Sequence, residues 1–335
     1  MARDYFVIDA FTGTPYSGNP AAVVLDAEGL ADEQMQAIAA EFNLSETTFI
    51  LPSERRDNQD TSFARRFRWF TPAAEVTMCG HATVAGLHAL VESGRIPEPA
   101  GITDPTTVRI ETLGGMLTGF IERMPGPLRG RMIWLELVSP ALTTFPAPIG
   151  PLAEALGAAT EAVDVSLPPA TTQDNDLIVF VKDFVTLNAL APSFGPLAAW
   201  LTDQRIRGLC VATVRTVTPS VHVQSRFFAP SVGIDEDPVT GSVHGPLAAY
   251  LADRGMAPSY DGVAALVCTQ GRPGGRVGRI HALVGRSPDG ARWVRIGGEA
   301  VVTMRGQLVQ RHSQSTGRRA DSADGESGGI RRESP

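Results

Sequence analysis

The chain has almost no lysine: of its 29 basic residues, Lys182 alone is not arginine. A pyridoxal enzyme needs a lysine for its Schiff base and a P-loop needs G-K-[ST], whereas Lys182 follows Val181 inside the apolar run from Leu177 to Phe184. Both classes are disfavoured. Cysteine is nearly as scarce, and Cys79, Cys210 and Cys268 are too scattered for a disulfide framework or a C-x-x-C metal ribbon. A reducing cytoplasm is expected. No G-x-G-x-x-G occurs, so a dinucleotide fold would lack its usual phosphate turn. The six histidines show no H-E-x-x-H, so no metal is expected, and His88 and His244 read as packing or surface residues. No uncharged apolar run approaches the ~18 residues of a membrane span, and Asp4 and Asp9 interrupt the stretch where a secretory leader needs an apolar core. Neither membrane insertion nor export is expected. The formal charge of -7 opposes nucleic-acid binding. What remains is small-molecule chemistry without a large cofactor.

The chain of 335 residues is long enough for about two domains. Its last 25 residues, Arg311 to Pro335, hold only Ala320, Ala323 and Ile330 as apolar positions and are expected to be a disordered tail. Before it, short β-rich runs such as YFVID, AAVVLD, TTFIL, RRFRWF, TVRIET and MLTGFIE surround helical stretches at Ala31 to Glu41 and Gly80 to Val91. A second series repeats the order: MIWLEL, DLIVFV, LCVATV, HVQSRFF, AALVCTQ, IHALV and WVRIGG, with helices near Leu152 to Leu156, Pro196 to Leu201 and Gly241 to Arg254. The prolines and glycines of Met124 to Gly130 suggest the crossover, which gives lobes at 1–125 and 126–297. The halves also agree letter by letter. RWFTP at Arg68 lies over RFFAP at Arg226, and CGHATVAGLHALVESG at Cys79 lies over TGSVHGPLAAYLADRG at Thr240 after a three-residue insertion. A pseudo-twofold would bring the equivalent loops face to face.

Each repeat delivers a glycine at the start of a helix, in Cys79-Gly80-His81 and in Thr240-Gly241-Ser242. A helix start offers unpaired N–H groups and about half a positive charge. Read singly, either motif is ordinary helix capping. Read as repeat equivalents, the two are expected to aim at one cleft and hold a carboxylate there.

FRWFTPAAEVTMCGHATVAG, DEDPVTGSVHGPLAAYL, YSGNPAAVV and NLSETTFIL together resemble the phenazine-biosynthesis PhzF-like isomerases, over nearly all of residues 4 to 308. The resemblance implies an α+β, diaminopimelate-epimerase-like fold: two pseudo-symmetric, strand-rich lobes, each wrapped around a central helix, with the active site between them. It also implies that a returning strand near 298–308 completes the first lobe and that the subunit forms a homodimer. The implied chemistry is a cofactor-independent proton shift on a small unsaturated cyclic amino or hydroxy acid, such as dihydro-3-hydroxyanthranilate. Carried over residue by residue, the acid/base group falls on Glu46, the active-site histidine on His81, and the aspartate that holds an amine or hydroxyl on Asp237. Gly80, Gly241 and Ser242 would bind the carboxylate, with Ser45 as a further polar contact and Arg276, near Gln270-Gly271, as a candidate ligand contact.

The epimerases of this fold use two facing cysteines, whereas this chain pairs Cys79 with Thr240. A threonine hydroxyl is a very poor proton carrier near neutral pH, so symmetric two-thiol racemisation is disfavoured. A one-thiol epimerase or dehydratase using Cys79 stays open, as does a catalytically idle ligand-binding protein.

Overall fold

Two stretches of this chain are apolar on every helical face, and such helices are stable only when surrounded. The computed structural model, which describes residues 2–54, 63–99, 104–124, 130–137, 140–146 and 148–309, surrounds both with strands. The expected tail lies outside the described residues.

The first lobe opens with β1 (Arg3–Ala10), β2 (Asn19–Val24), α1 (Asp32–Phe42) and β3 (Glu46–Pro52). It continues with β4 (Arg65–Phe70), β5 (Glu75–Val76), α2 (Gly80–Glu92), β6 (Thr106–Thr112), β7 (Gly115–Arg123) and β8 (Arg131–Leu137). After β8 comes β9 (Leu142–Thr144), and the second lobe then holds α3 (Gly150–Ala155), β10 (Ala170–Thr172), β11 (Asp176–Phe180), α4 (Phe184–Ala189) and α5 (Phe194–Asp203). Then come β12 (Gly208–Thr213), β13 (Val223–Ala229), β14 (Ile234–Asp237), α6 (Gly241–Asp253) and β15 (Ser259–Tyr260). The described chain ends with β16 (Val263–Gln270), β17 (Gly278–Arg286), β18 (Arg292–Gly298) and β19 (Ala300–Leu308).

The repeat seen in the letters recurs in the pairing. β2 runs parallel to β3, β3 antiparallel to β4 and β4 parallel to β6; β11, β12, β13 and β16 follow the same series. Even the packing repeats. Arg68 forks onto Glu75 through Nε and Nη2, both at 2.7 Å, and its guanidinium sits 5.1 Å over the Phe70 ring. Its equivalent Arg226 forks onto Glu236, both at 2.8 Å, and sits 4.9 Å over Phe228. Arginine at this position is therefore a two-sided fastener, joining strand to strand on one edge and stacking on an aromatic face.

Each lobe closes around its helix. From Gly80 to Val91 every residue of α2 is buried, and its small residues let the strands approach: a Cβ on Gly86 would lie 2.6 Å from the Phe67 ring. α6 is buried from Val243 to Leu251. The expected divide at 125/126 needs correction. Residues 125–129 lie outside the described set, but β7 and β8 on either side pair along their length as a hairpin. The chain leaves the first lobe only after β8, which pairs antiparallel with β7. β8 also pairs with β18, which stitches the lobes into one sheet. Each lobe then lends a strand to the other: β9 joins β10, and β19 runs antiparallel to β1 from Ala300 to Leu308. The short helix α4 was not apparent from its letters, although Asp183 caps it by accepting from Thr186 N–H at 2.8 Å.

His88 and His244 are both packing residues, at 7% and 0% exposure. Burial pushes each imidazole down to about 4, helped at His88 by Arg131. The folded values lie below the unfolded one, so both rings are neutral in either state above pH ~6.5, and below it only the unfolded chain takes up protons. Each histidine is expected to remove about 1.4 kcal/mol of stability per pH unit between pH ~6.5 and ~4. Thermal unfolding from pH 7.5 to 5 checks this: His88→Gln with His244→Gln should flatten the acid slope, and an unchanged slope would refute the assignment.

Candidate active site

α1 ends at Asn43, whose left-handed backbone (φ 50°) turns the chain into β3. Asparagine tolerates that conformation. The turn leaves Ser45 and Glu46 at the mouth-facing end of the strand, where both line a cavity of about 350 Å³ between the lobes. The starts of α2 and α6 reach the same cavity, which is also lined by Cys79, Gly80, His81, Asp237, Thr240, Gly241 and Ser242. The two helix starts touch: a Cβ on Gly80 would sit 3.6 Å from Gly241 Cα and 3.7 Å from Ser242 N. Neither Cys79 nor Thr240, the residues at the cap positions, gives the first turn a side-chain hydrogen bond. Two uncapped helix ends therefore concentrate partial positive charge on one point.

Glu46 and His81 form the floor, with side chains 14% and 7% exposed. His81 Nε2 is 3.2 Å from Glu46 Oε2, but off the angle of a hydrogen bond, and neither atom has a hydrogen-bond partner among the described residues. Burial pushes the Glu46 carboxyl above its ordinary range, with Asp237 adding to the rise and His81 opposing it. Cys79 Sγ lies 3.4 Å from His81 Nδ1. Burial, and after it the neighbouring Glu46, pushes this thiol well up, so it stays protonated near neutral pH.

A second network crosses from lobe to lobe. Asn19 at the start of β2 donates through Nδ2 to Asp237 Oδ1 and to the Val239 carbonyl, both at 2.8 Å. Those two bonds use both of its amide hydrogens. His81 Nδ1 lies 3.4 Å from both Asn19 Nδ2 and Cys79 Sγ, and since the amide hydrogens are committed elsewhere the thiol is its remaining partner. Thr240 donates to Asp237 Oδ2 at 2.5 Å, and Gln270 Nε2 donates to Thr240 Oγ1 at 3.0 Å and to the Asp237 carbonyl at 2.7 Å. Thr240 is thus committed to positioning Asp237.

Of the residues singled out from the sequence, only Arg276 lies off this cavity. It donates to Asp9 Oδ1 at 3.2 Å and to the Ser17 carbonyl at 2.6 Å, pinning the loop between β1 and β2. Sequence reasoning passed over Asn19 and Gln270 as functional positions, because their roles come from partners 218 and 30 positions away. Glu46, Cys79 and His81 also offer one donor atom each within 4.8 Å of one another, a grouping that the histidine spacing does not foreshadow. An ion there would need the Cys79 thiolate, which burial and the adjacent carboxylate disfavour. No helix among the described residues is long and apolar enough to cross a membrane.

Known proteins share this arrangement. Residues 8–306 match the family described as phenazine biosynthesis-like protein. An uncharacterized isomerase of Clostridium acetobutylicum is 32% identical over 320 residues, covering 92% of this chain and 99% of that one. The crystal structure of a PhzF-family phenazine biosynthesis protein of Bacillus anthracis superposes with a TM-score of 0.80 at 30% identity, over 92% of this chain and 100% of that one. A hydroxyproline epimerase of Agrobacterium vitis, at 13% identity and a TM-score of 0.56, covers 92% of each chain and shares the fold alone. Two strand-rich lobes, exchanged edge strands and helix starts meeting in one cleft are thus the diaminopimelate-epimerase-like fold, and the chain belongs to the phenazine biosynthesis-like family of isomerases.

Proposed function

We propose that this isomerase moves a proton between two carbons of a small unsaturated cyclic amino or hydroxy carboxylic acid, with Glu46 as the single acid/base and no cofactor. The observation that carries the reading is Glu46 itself: a carboxyl raised by burial, 3.2 Å from an imidazole nitrogen, in the cavity where two uncapped helix starts converge.

The substrate carboxylate docks on the first-turn amides of α2 and α6 and on the Ser242 hydroxyl, with Ser45 beside it. Asp237, fixed by Asn19 and Thr240, accepts from the substrate's amine or hydroxyl. Glu46 removes a proton from one carbon, and the electron pair left behind spreads through the double bond onto the carboxylate, where the helix starts stabilise it. The same carboxyl then returns the proton to a second carbon. A raised pKa suits both halves, since the group must first accept and then release within one turnover. His81 Nε2–H stabilises the Glu46 carboxylate between them. Bond making and breaking balance within the substrate, so no redox partner is needed.

A thiol-based route is less well supported, because Cys79 is held as a neutral thiol and Thr240 is committed to Asp237.

Incubation with cyclic unsaturated amino and hydroxy acids in heavy water, read by mass spectrometry, tests the reading. Wild-type protein should place deuterium at defined carbons, and Glu46→Gln should lower that exchange by at least the ~10²–10⁴-fold of general acid/base catalysis. Full exchange in Glu46→Gln would sink the proposal. Exchange should also fall as pH drops through a midpoint above the ordinary carboxylate range, because the base must be ionised and its pKa is raised. A midpoint at or below that range would contradict the assignment. Native Cys79 should react with iodoacetamide at pH 8 far more slowly than free cysteine, and Cys79→Ala should keep its exchange activity. Rapid alkylation with loss of exchange would favour the one-thiol mechanism, and loss of exchange on chelator treatment would instead put Glu46, Cys79 and His81 to work as metal ligands.

A further inference from the structure

Glu46 has a counterpart in the second lobe, and it is not a carboxylate. Phe49 faces Arg68 across β3 and β4, and Val211 faces the equivalent Arg226 across β12 and β13. Counting back along each strand, Glu46 corresponds to Gly208 and Ser45 to Arg207. On the parallel neighbours, Ala21 beside Glu46 corresponds to Asp176 beside Gly208, which places Asp174 at the equivalent of Asn19. A Cβ at Gly208 would fall 2.2 Å from the Phe227 ring and 3.1 Å from Asp176 Oδ1. No second base fits there.

What the second lobe presents instead is Arg207. It lines the same cavity as Glu46, His81 and the two helix starts, and among the described residues it is the sole arginine or lysine to do so, beside Glu46, Asp174 and Asp237. Its orientation is built. Nε and Nη2 donate to Asp176 Oδ1 and Oδ2 at 2.9 and 2.5 Å, and Asp176 is 1% exposed. Burial pushes the Asp176 carboxyl up and Arg207 is its main counterweight. This grip occupies one edge of the guanidinium plane. Nη1 donates to no described group, so the end formed by Nη1 and Nη2 stays free for another planar acceptor. The Arg207 side chain is 46% exposed, where Glu46 is 14%, so the free end sits toward solvent from the buried floor.

We infer that the substrate is a cyclic dicarboxylic acid, one carboxylate docking on the helix starts and the second on the free end of Arg207. This deepens the proposed function and rests on its reading of the cavity as a carboxylate site. A fixed guanidinium fork selects a planar anion by shape as well as charge, and from the more exposed part of the cavity lining it acts on recognition of the substrate's second carboxylate.

Calorimetric titration with benzoate, phthalate, isophthalate and terephthalate tests it. Wild-type protein should bind at least one of the dicarboxylates about tenfold or more tightly than benzoate. The paired change Arg207→Gln with Asp176→Asn, which leaves no buried carboxylate unpaired, should bring that acid to within about threefold of benzoate. The inference is overturned if no dicarboxylate is preferred, if none of the four binds, or if the preference persists in the paired variant. Should that variant not fold, Arg207→Lys decides: it keeps a charge opposite Asp176 but loses the fork, so the preference should fall by about tenfold, and an unchanged preference overturns the inference. Glu46→Gln separates the two readings. Preference retained with exchange unaffected in Glu46→Gln removes Glu46 from the chemistry and leaves Arg207 its role; exchange abolished there without any dicarboxylate preference does the reverse.

Discussion

Two buried helices meet here start to start, and among the described residues neither receives a side-chain bond from its cap position. Gly80 and Gly241 lie close enough to touch across the join, and each helix brings about half a positive charge to it. Like partial charges held together in a cavity of low polarity repel unless an anion lies between them. The fold provides the force that keeps them there, because α2 and α6 are each enclosed by strands along their length and β8 is hydrogen-bonded to β18 across the lobes. The electrostatic need of the centre and the apolar need of the two cores are satisfied by one geometry. The carboxylate docking proposed above rests on this architecture before any charged side chain is added.

Duplication supplies the scaffold twice, and function depends on where the copies differ. His81 corresponds to Ser242, Cys79 to Thr240, and Glu46 to the Cβ-free Gly208. The Arg68 and Arg226 fasteners are the same in both lobes. Positions that hold strand to strand have kept their symmetry, while positions that line the cavity, the Gly80 and Gly241 pair apart, have lost it. A two-base mechanism needs equivalence at the cavity. A single carboxyl that both takes and returns the proton needs only one side to carry a base, which leaves the other free for recognition.

Much of this was legible in the letters. RWFTP and RFFAP announced the repeat because an arginine packed on both faces tolerates little change, and the run from Gly80 to Val91 announced a helix that the family resemblance placed at a lobe's centre. The divide at 125/126 was misplaced because proline and glycine punctuate a hairpin turn as strongly as a lobe boundary. The letters around Glu46 describe only a strand start, and its burial is created by His81 and Cys79, more than 30 positions away. Asn19, Gln270 and Arg207 were not apparent as site residues for the same reason. Each acquires its meaning from register between distant strands, and SETTF and RGLCV share no letters that would align Ser45 with Arg207.

The exchange of edge strands sets an order of events during synthesis. β1 leaves the ribosome long before β19, the strand that completes one of its two edges. After β8 has been made, roughly 170 residues must still be translated before that partner exists, about 10–30 s at ordinary elongation rates. Throughout that interval the nascent first lobe carries an open strand edge, the feature most prone to wrong pairing. Closing the first lobe therefore waits until the second has been made, and a ribosome stalled within the second lobe releases a chain whose first lobe is sticky by construction.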